Sequence, residues 1–163
     1  MGSNLCDQNN GEQAARDDAA LTKLHGRPGF LLRRALQLST SIFLKHCGPI
    51  TTTQYGVIVV LSKHDGLSQR ELGDLLFLDR TTTALAVKIL EQKKMVARTR
   101  DASDARRMVL SLTETARLAL PDLFSCAESA QTDLLMRLSL EERLALRRIL
   151  EKLIDGQSGE GVP

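Results

Sequence analysis

The sequence predicts a mainly α-helical chain with one small β-hairpin, and three observations support this fold class. The 163 residues include 29 leucines but only four phenylalanines, one tyrosine and no tryptophan, and leucine loses little rotamer freedom in a helix. Apolar residues recur at helical spacing through most of the chain. The spacing changes to that of short strands only between residues 95 and 112.

The composition also excludes several classes of protein. So few aromatic residues are atypical of a β-sandwich, and of proteins that stack single-stranded bases on aromatic rings. No apolar run approaches the roughly 20 residues that a membrane span requires. Residues 1–20 are polar and unlike a secretory signal, so we expect a cytoplasmic protein without a membrane partner.

The cysteines and histidines give no sign of a metal centre. Cys6, Cys47 and Cys126 form no C-x-x-C pair, which excludes a disulfide scaffold and a cysteine-rich zinc site. No two histidines are three or four residues apart, and no phosphate-binding glycine loop or G-x-S-x-G motif occurs. We therefore expect no metal, no cofactor and no catalytic residue.

The net charge of +2 conceals an uneven distribution of charge along the chain. Residues 19–64 contain six basic residues and no acidic one, and residues 66–112 contain nine basic and six acidic residues. Two consecutive basic stretches favour anionic partners. A charged surface that contacts only solvent would give the same numbers of basic and acidic residues, so this alternative stays open.

The first predicted helix begins near Pro28, because proline suits the first helical position. It ends near His46, before the stop signal Cys47-Gly48-Pro49. Four apolar residues of this helix have the spacing of a coiled-coil seam: Leu31, Ala35, Leu38 and Ile42.

Capping residues mark the next three helices. Thr51 with Gln54, and Ser68 with Glu71, have the spacing of capping boxes. Asp79 stands where an N-cap belongs. The helix after Asp79 has an apolar stripe that should face the core: Thr83, Ala86, Val87 and Leu90.

Beyond this helix, residues 95–100 and 108–112 predict two strands joined by a polar loop. A helix with a second seam follows over residues 116–134, and Pro121 should kink it. Ser139 and Glu142 cap a last helix, whose apolar face is Leu146, Ile149, Leu150 and Leu153.

A helix, a short turn, a second helix and a hairpin can present the second helix to the major groove of DNA. The apolar stripe of that helix leaves six residues facing outward: Arg80, Thr81, Thr82, Ala84, Leu85 and Lys88. Arg106 and Arg107 would lie at the hairpin tip, near a minor groove or phosphates. Any helical hairpin gives a similar pattern, so spacing alone leaves DNA binding and a merely soluble surface equally open.

Specific residues nevertheless resemble the MarR family of winged-helix transcription regulators. The matching pieces lie in order between residues 51 and 118: Thr51-x-x-Gln54-Tyr55-x-Val57, Leu67-Ser68-Gln69-x-Glu71-Leu72-Gly73, Asp79-Arg80-Thr81-Thr82, Leu90-Glu91 before Met95-Val96, and Asp104-x-Arg106-Arg107 before Leu112-Thr113-Glu114. The resemblance implies a single domain over residues 23–155, between a flexible arm (1–22) and a flexible tail (156–163). Within it, a winged helix-turn-helix at about 50–113 is flanked by dimerisation helices at about 28–46 and 114–155.

The resemblance further implies a homodimer that binds a pseudo-palindromic double-stranded operator and acts as a repressor until a small effector releases it. Nine residues are then expected to contact DNA: Arg70, Arg80, Thr81, Thr82, Lys88, Arg100, Ser103, Arg106 and Arg107.

Three positions depart from the family pattern. Ala84-Leu85 occupies a place where a base-reading Arg or Thr is common, so it can contact thymine methyl groups but cannot donate hydrogen bonds. Lys94 replaces the usual glycine after the recognition helix, so we expect that turn to be built differently. Ala116 stands where glycine is common.

The acid-free first helix predicts where an effector binds. Arg34 beside Phe30 can pair with a carboxylate while the ring packs on an aromatic plane. His25 and Arg27 add donors at the helix start, and Tyr55 adds a hydroxyl. We therefore expect an aromatic acid of the benzoate or nicotinate type. In the alternative, Arg34 extends to solvent and Tyr55 belongs to the core.

Other functions remain open at this stage. Cys47, beside His46, is a candidate oxidant-sensing thiol, but no partner cysteine is evident and a free structural cysteine is the simpler reading. An enzyme using His46 and Cys47 is disfavoured because adjacent helical residues point about 100° apart. A helical dimer that binds only protein is a further alternative.

Overall fold

The computed structural model describes residues 21–101, 104 and 106–155. Its elements follow in the order α1 (Pro28–Cys47), α2 (Thr52–Lys63), α3 (Gln69–Leu76), α4 (Arg80–Gln92), β1 (Val96–Arg100), β2 (Met108–Leu112), α5 (Glu114–Leu135) and α6 (Leu140–Asp155). Residues 21–25 are helical as well. The predicted fold class, mainly α-helical with a hairpin wing, is confirmed.

The described residues divide into two compact units, and the boundary between them, after residue 40, falls within α1. The expected arm and tail lie largely outside the described residues, and the arm's last two residues are part of the helical segment 21–25. No helix in the described part of the chain is long and apolar enough to cross a membrane.

The predicted caps begin the helices as expected. Thr51 and Ser68 each form a complete capping box, with Gln54 and Glu71 respectively. The Asp79 carboxylate accepts hydrogen bonds from the backbone N–H groups of Thr81 and Thr82, both at 2.9 Å. These bonds satisfy N–H groups that the first turn of a helix leaves without partners.

The core lies among α2, α3, α4, the hairpin and α5. All four residues of the predicted stripe on α4 are buried, as are Val57, Ile58 and Leu61 of α2. Leu72 of α3 and Leu110 of β2 complete the centre of this cluster. Since α4 is buried along one side by its neighbours, its opposite side is left facing solvent.

The two strands pair antiparallel, with Val96 opposite Leu112 and Arg100 opposite Met108. The Leu110 N–H donates to the Leu67 carbonyl at 2.8 Å, and the Gly66 N–H donates to the Leu110 carbonyl at 3.1 Å. The loop before α3 is thereby fixed to the wing. These two bonds, together with the packing of β1 against α4, hold the wing beside the two helices.

Two turns around α4 use left-handed residues that are not glycine. Phe77 ends α3 with φ 52°, and Lys94 follows α4 with φ 56°. The Met95 N–H donates to the Leu90 carbonyl at 2.9 Å across the second turn. Lys94 therefore adopts the left-handed conformation that glycine favours, and the expectation that this turn differs from that of the family stays a prediction.

α5 runs through Pro121 from Glu114 to Leu135 without interruption of the helix, and the kink stays a prediction. α6 buries none of its residues, and large apolar side chains are exposed on it. On α1, Leu31 and Leu38 of the predicted seam are likewise about half exposed, at 49% and 55%.

Replacing Phe77 by glycine should stabilise the fold. The Phe77 side chain is 95% exposed, so its removal costs no packing, whereas its φ of 52° is strained for any residue with a β-carbon. Phe77→Gly should raise the free energy of unfolding in urea by about 1 kcal/mol relative to Phe77→Ala. Phe77→Ala is the matched control because it removes the ring and keeps the strain. Equal stability of the two variants would contradict the argument.

Candidate nucleic-acid interface

Close packing between α3 and α4 positions the helix predicted to read DNA. A β-carbon added to Gly73 would lie 2.9 Å from the Thr83 hydroxyl oxygen and 3.3 Å from the Leu78 carbonyl oxygen. The Thr83 hydroxyl donates to the Asp79 carbonyl at 2.8 Å and is buried. Glycine at position 73 thus permits the approach that buries the inner side of α4.

Several predicted DNA contacts lie on the outward side of this arrangement. Arg80 and Lys88 on α4, Arg100 at the end of β1 and Arg106 in the wing loop are exposed. None of these four forms an ion pair with another described residue. Cations that no carboxylate of the described chain neutralises remain available to an anionic partner.

The two threonines at the start of α4 differ in their surroundings. Thr81 is exposed, whereas the hydroxyl of the half-buried Thr82 donates to the Asp79 carboxylate at 2.6 Å. This hydrogen bond is the largest cause of the lowered pKa of Asp79, and the hydrogen bond from the Thr82 backbone N–H is the next largest. The Thr82 hydroxyl proton is therefore already donated to Asp79. The side chain can offer a ligand only its oxygen lone pairs and its methyl group.

Arg107 occupies a different position from its neighbour Arg106. Its guanidinium donates to the Glu71 carboxylate and lies 3.8 Å from that of Asp101. Glu71 also accepts the Ser68 N–H at 2.7 Å, and the bonds with Ser68 and then Arg107 lower the pKa of its carboxyl. Arg107 thus connects the wing loop to the start of α3.

The sequence interpretation missed a second connection of this type. Arg98 of β1 lies 3.3 Å from the Glu91 carboxylate and donates to the Gln69 side-chain oxygen at 3.2 Å. Alternation along β1 places Arg98 on the same face as Arg100. Only the packing of α3 and α4 shows that Arg98, and not Arg100, bonds to Glu91 and Gln69.

The remaining predicted contacts are peripheral or undescribed. Arg70 is highly exposed, and its guanidinium is 3.9 Å from the Asp74 carboxylate one turn later, a pair that contributes little. Ser103 lies outside the described residues, in the wing loop.

The C-terminal end of α4 is connected to the loop before α2. The Lys93 ammonium donates to the Pro49 carbonyl at 2.5 Å and to the Gln54 side-chain oxygen at 3.0 Å. Gln54 is buried and belongs to the capping box of α2. Both ends of α4 are therefore held by specific polar contacts, Asp79 at one end and Lys93 at the other.

The candidate effector residues of the first unit include an aromatic pair. The rings of His25 and Phe30 lie 5.1 Å apart, and the Arg33 guanidinium lies 4.8 Å above the Phe30 ring. The predicted Arg34 is exposed, as is Arg27. Arg33 is a residue that the sequence interpretation missed, although its spacing of three from Phe30 is a contact spacing in helices.

Tyr55, the fifth candidate effector residue, belongs to the second unit. Its half-buried ring lies 5.4 Å from that of Phe43 and 6.5 Å from that of Phe124. Burial, and then the negative charge of Glu128, raises the pKa of the Tyr55 phenol, which is therefore neutral at physiological pH. Tyr55 also packs against both hydrophobic clusters of this unit.

The expectation that Cys47 has no partner is wrong, because Cys47 and Cys126 form a disulfide. Their Cα atoms are 5.3 Å apart, a normal separation for such a bond, and 79 residues of chain separate them. The pairing depends on the packing of α1 against α5, which sequence spacing does not reveal. Next to Cys47, the His46 ring lies 3.0 Å from the Asp133 carboxylate, and this contact is the main reason for the lowered pKa of Asp133.

Comparison with known proteins assigns this architecture to a family. A profile described as MarR family matches residues 49–107. The repressor NicR of Pseudomonas putida is 31% identical over 135 residues, which are 82% of this chain and 85% of NicR. The chain belongs to the MarR family of transcription regulators.

Solved structures of this family agree with the winged-helix fold. BpsR of Bordetella bronchiseptica, whose DNA binding is regulated by 6-hydroxynicotinic acid, has a TM-score of 0.74 at 26% identity, covering 80% of this chain and 95% of BpsR. The repressor CouR bound to a 23-mer DNA duplex has a TM-score of 0.72 at 27% identity, covering 81% of this chain and 95% of CouR. This MarR-family protein thus shares its fold with regulators captured with DNA or described with an aromatic acid.

Proposed function

We propose that this MarR-family regulator is a homodimeric repressor that binds a pseudo-palindromic operator and releases it when an aromatic acid binds. The observation that carries the proposal is the cationic outward side of the winged helix-turn-helix. There Arg80, Lys88, Arg100 and Arg106 are exposed and form no ion pair with another described residue. The similarity to CouR, which has been solved on a DNA duplex, supports DNA binding.

In this proposal the contacts divide by chemistry. Arg80, Thr81, Thr82 and Lys88 on α4 approach the major groove. Arg70, Arg100, Ser103 and Arg106 contact phosphates or the neighbouring minor groove. Arg107 holds the wing on α3 through Glu71, so its effect on DNA binding is to position Arg106.

The homodimer is proposed from apolar surface at both ends of the chain. α1 exposes Leu31, Leu36 and Leu38, and α6 exposes Leu144 and Ile149 among others. Each helix thus exposes several large apolar side chains to water, and a second copy of the chain would bury them symmetrically. We therefore assign dimerisation to the helices at 28–46 and 114–155.

The effector is proposed from the chemistry of the first unit and from one relative. The Phe30 ring lies close to the His25 ring and to the Arg33 guanidinium, and Arg34 and Arg27 add exposed guanidinium groups. Such groups suit a carboxylate attached to an aromatic ring. The similarity to BpsR, whose DNA binding is regulated by 6-hydroxynicotinic acid, supports a nicotinate-like ligand.

A second candidate is control by oxidation, which the Cys47–Cys126 pair favours. A peroxide would oxidise the Cys47 thiolate to a sulfenic acid and leave as water or alcohol, and the Cys126 thiol would then displace water to form the disulfide. Pro49, two residues after Cys47, accepts the Lys93 hydrogen bond from α4. Formation or loss of the disulfide can therefore alter the support of the recognition helix.

Removing two wing and helix cations should weaken DNA binding and its dependence on salt. The experiment is a gel-shift titration across a salt series, using the double variant Lys88→Ala/Arg106→Ala and a DNA site selected by the wild type. The slope of log K against log salt should become shallower by about 1 for each lost phosphate contact. Lys23→Ala/Lys63→Ala is the matched control, since it removes two exposed cations that are neither proposed DNA contacts nor part of the proposed dimerisation helices. Wild-type affinity and slope in the first variant would contradict the assignment, and absence of DNA binding by the wild type would favour the protein-only dimer.

Arg34→Ala should impair release by aromatic acids. Operator release is measured with 6-hydroxynicotinate, nicotinate and benzoate, and with nicotinamide as the uncharged counterpart of nicotinate. Loss of a guanidinium–carboxylate pair should raise the half-effective concentration of the active acid by roughly 10- to 150-fold, since hydrogen bonds to charged groups contribute roughly 1.5–3 kcal/mol. Lys63→Ala serves as control, because this exposed cation belongs to neither the proposed effector site nor the proposed dimerisation helices. A variant that binds the operator normally and responds like wild type shows that the carboxylate binds elsewhere.

Cys47→Ser and Cys126→Ser should each abolish any response of operator affinity to hydrogen peroxide, since the disulfide needs both sulfur atoms. Operator affinity is measured for reduced and peroxide-treated protein, and Cys6→Ser is the matched cysteine control. A response that persists in Cys47→Ser rejects that residue as the sensor. Cys6→Ser should respond as wild type.

A further inference from the structure

Leu85 lies on the outward side of the recognition helix α4. At 100° per residue, Leu85 lies about 200° from Thr83 and therefore opposite the buried stripe formed with Ala86, Val87 and Leu90. Its side chain is 58% exposed. On a helix lying in a groove, the side chain opposite the core is the one that points toward the base edges.

The chemistry of Leu85 differs from that of its surroundings. Thr81 lies one turn before it and Lys88 one turn after it, and both are polar and exposed. Leucine can neither donate nor accept a hydrogen bond. In the major groove the C5-methyl group of thymine is the apolar feature that an aliphatic side chain can recognise.

We propose that Leu85 is a specificity-determining residue that contacts a thymine methyl group in each operator half-site. This inference rests on the proposed DNA-binding function and adds a recognition chemistry to it. Thr81 and Lys88 would hold α4 in the groove from either side, while the Leu85 side chain covers the methyl group and excludes water from it. An exposed leucine at this position then has a partner only on DNA that carries thymine there.

The test removes the methyl group without changing base pairing. A site is selected from random duplexes with the wild-type protein, and each thymine is then replaced singly by deoxyuridine. Wild-type affinity should fall about fourfold at one position in each half-site, the value for exposing about one methylene equivalent of apolar surface. Leu85→Ala should bind the thymine site more weakly and lose the distinction between thymine and deoxyuridine at that position.

Lys88→Ala is the matched comparison, because it should weaken binding to both duplexes equally and keep the fourfold preference. Leu85 is exposed, so truncation is expected to leave the melting temperature unchanged, which is checked alongside. Equal wild-type affinity for every deoxyuridine duplex would overturn the inference while leaving the proposed function intact, since the selected site still binds. A thymine preference that persists in Leu85→Ala would also overturn it. Failure to select any site would overturn both.

Discussion

The burial of one side of α4 is the constraint on which the rest of the structure depends. Thr83, Val87 and Leu90 are buried against α2, α3 and the hairpin, and Gly73 provides the space for this approach. A helix fixed along one side must present the other side to solvent. The position of every proposed DNA contact on α4 follows from that packing.

The arginines and lysines around α4 fall into two groups, those bonded within the protein and those exposed to a ligand. Their positions in the sequence do not show which residue belongs to which group. Arg98, Arg107 and Lys93 make contacts within the protein that attach the wing, α3 and the α2 cap to one another. Arg106 and Lys88 have no such ion pairs among the described residues. The internal contacts fix the shape of the winged helix-turn-helix. The remaining cations attract the phosphates of DNA electrostatically.

The loop between α1 and α2 connects the proposed sensing regions to the DNA-reading helix. Cys47 is bonded to α5, Pro49 accepts a hydrogen bond from Lys93 of α4, and Thr51 caps α2. These contacts lie within five residues of chain. A change at the end of α1 therefore has a short covalent and hydrogen-bonded route to the end of the recognition helix. Coupling along it requires two arrangements of the loop that effector or oxidant populates differently.

The helices, their caps and the buried stripe of α4 can be predicted from the sequence alone, because these depend on local spacing and on hydrogen bonds between residues two to four apart. Which charges are paired depends instead on how distant segments pack. Arg107 and Arg106 are adjacent in sequence, yet Arg107 meets Glu71 across 36 residues and Arg106 does not. Cys47 and Cys126 meet across 79 residues for the same reason. Contacts between distant residues depend on how helices pack, and local spacing carries no information about that packing.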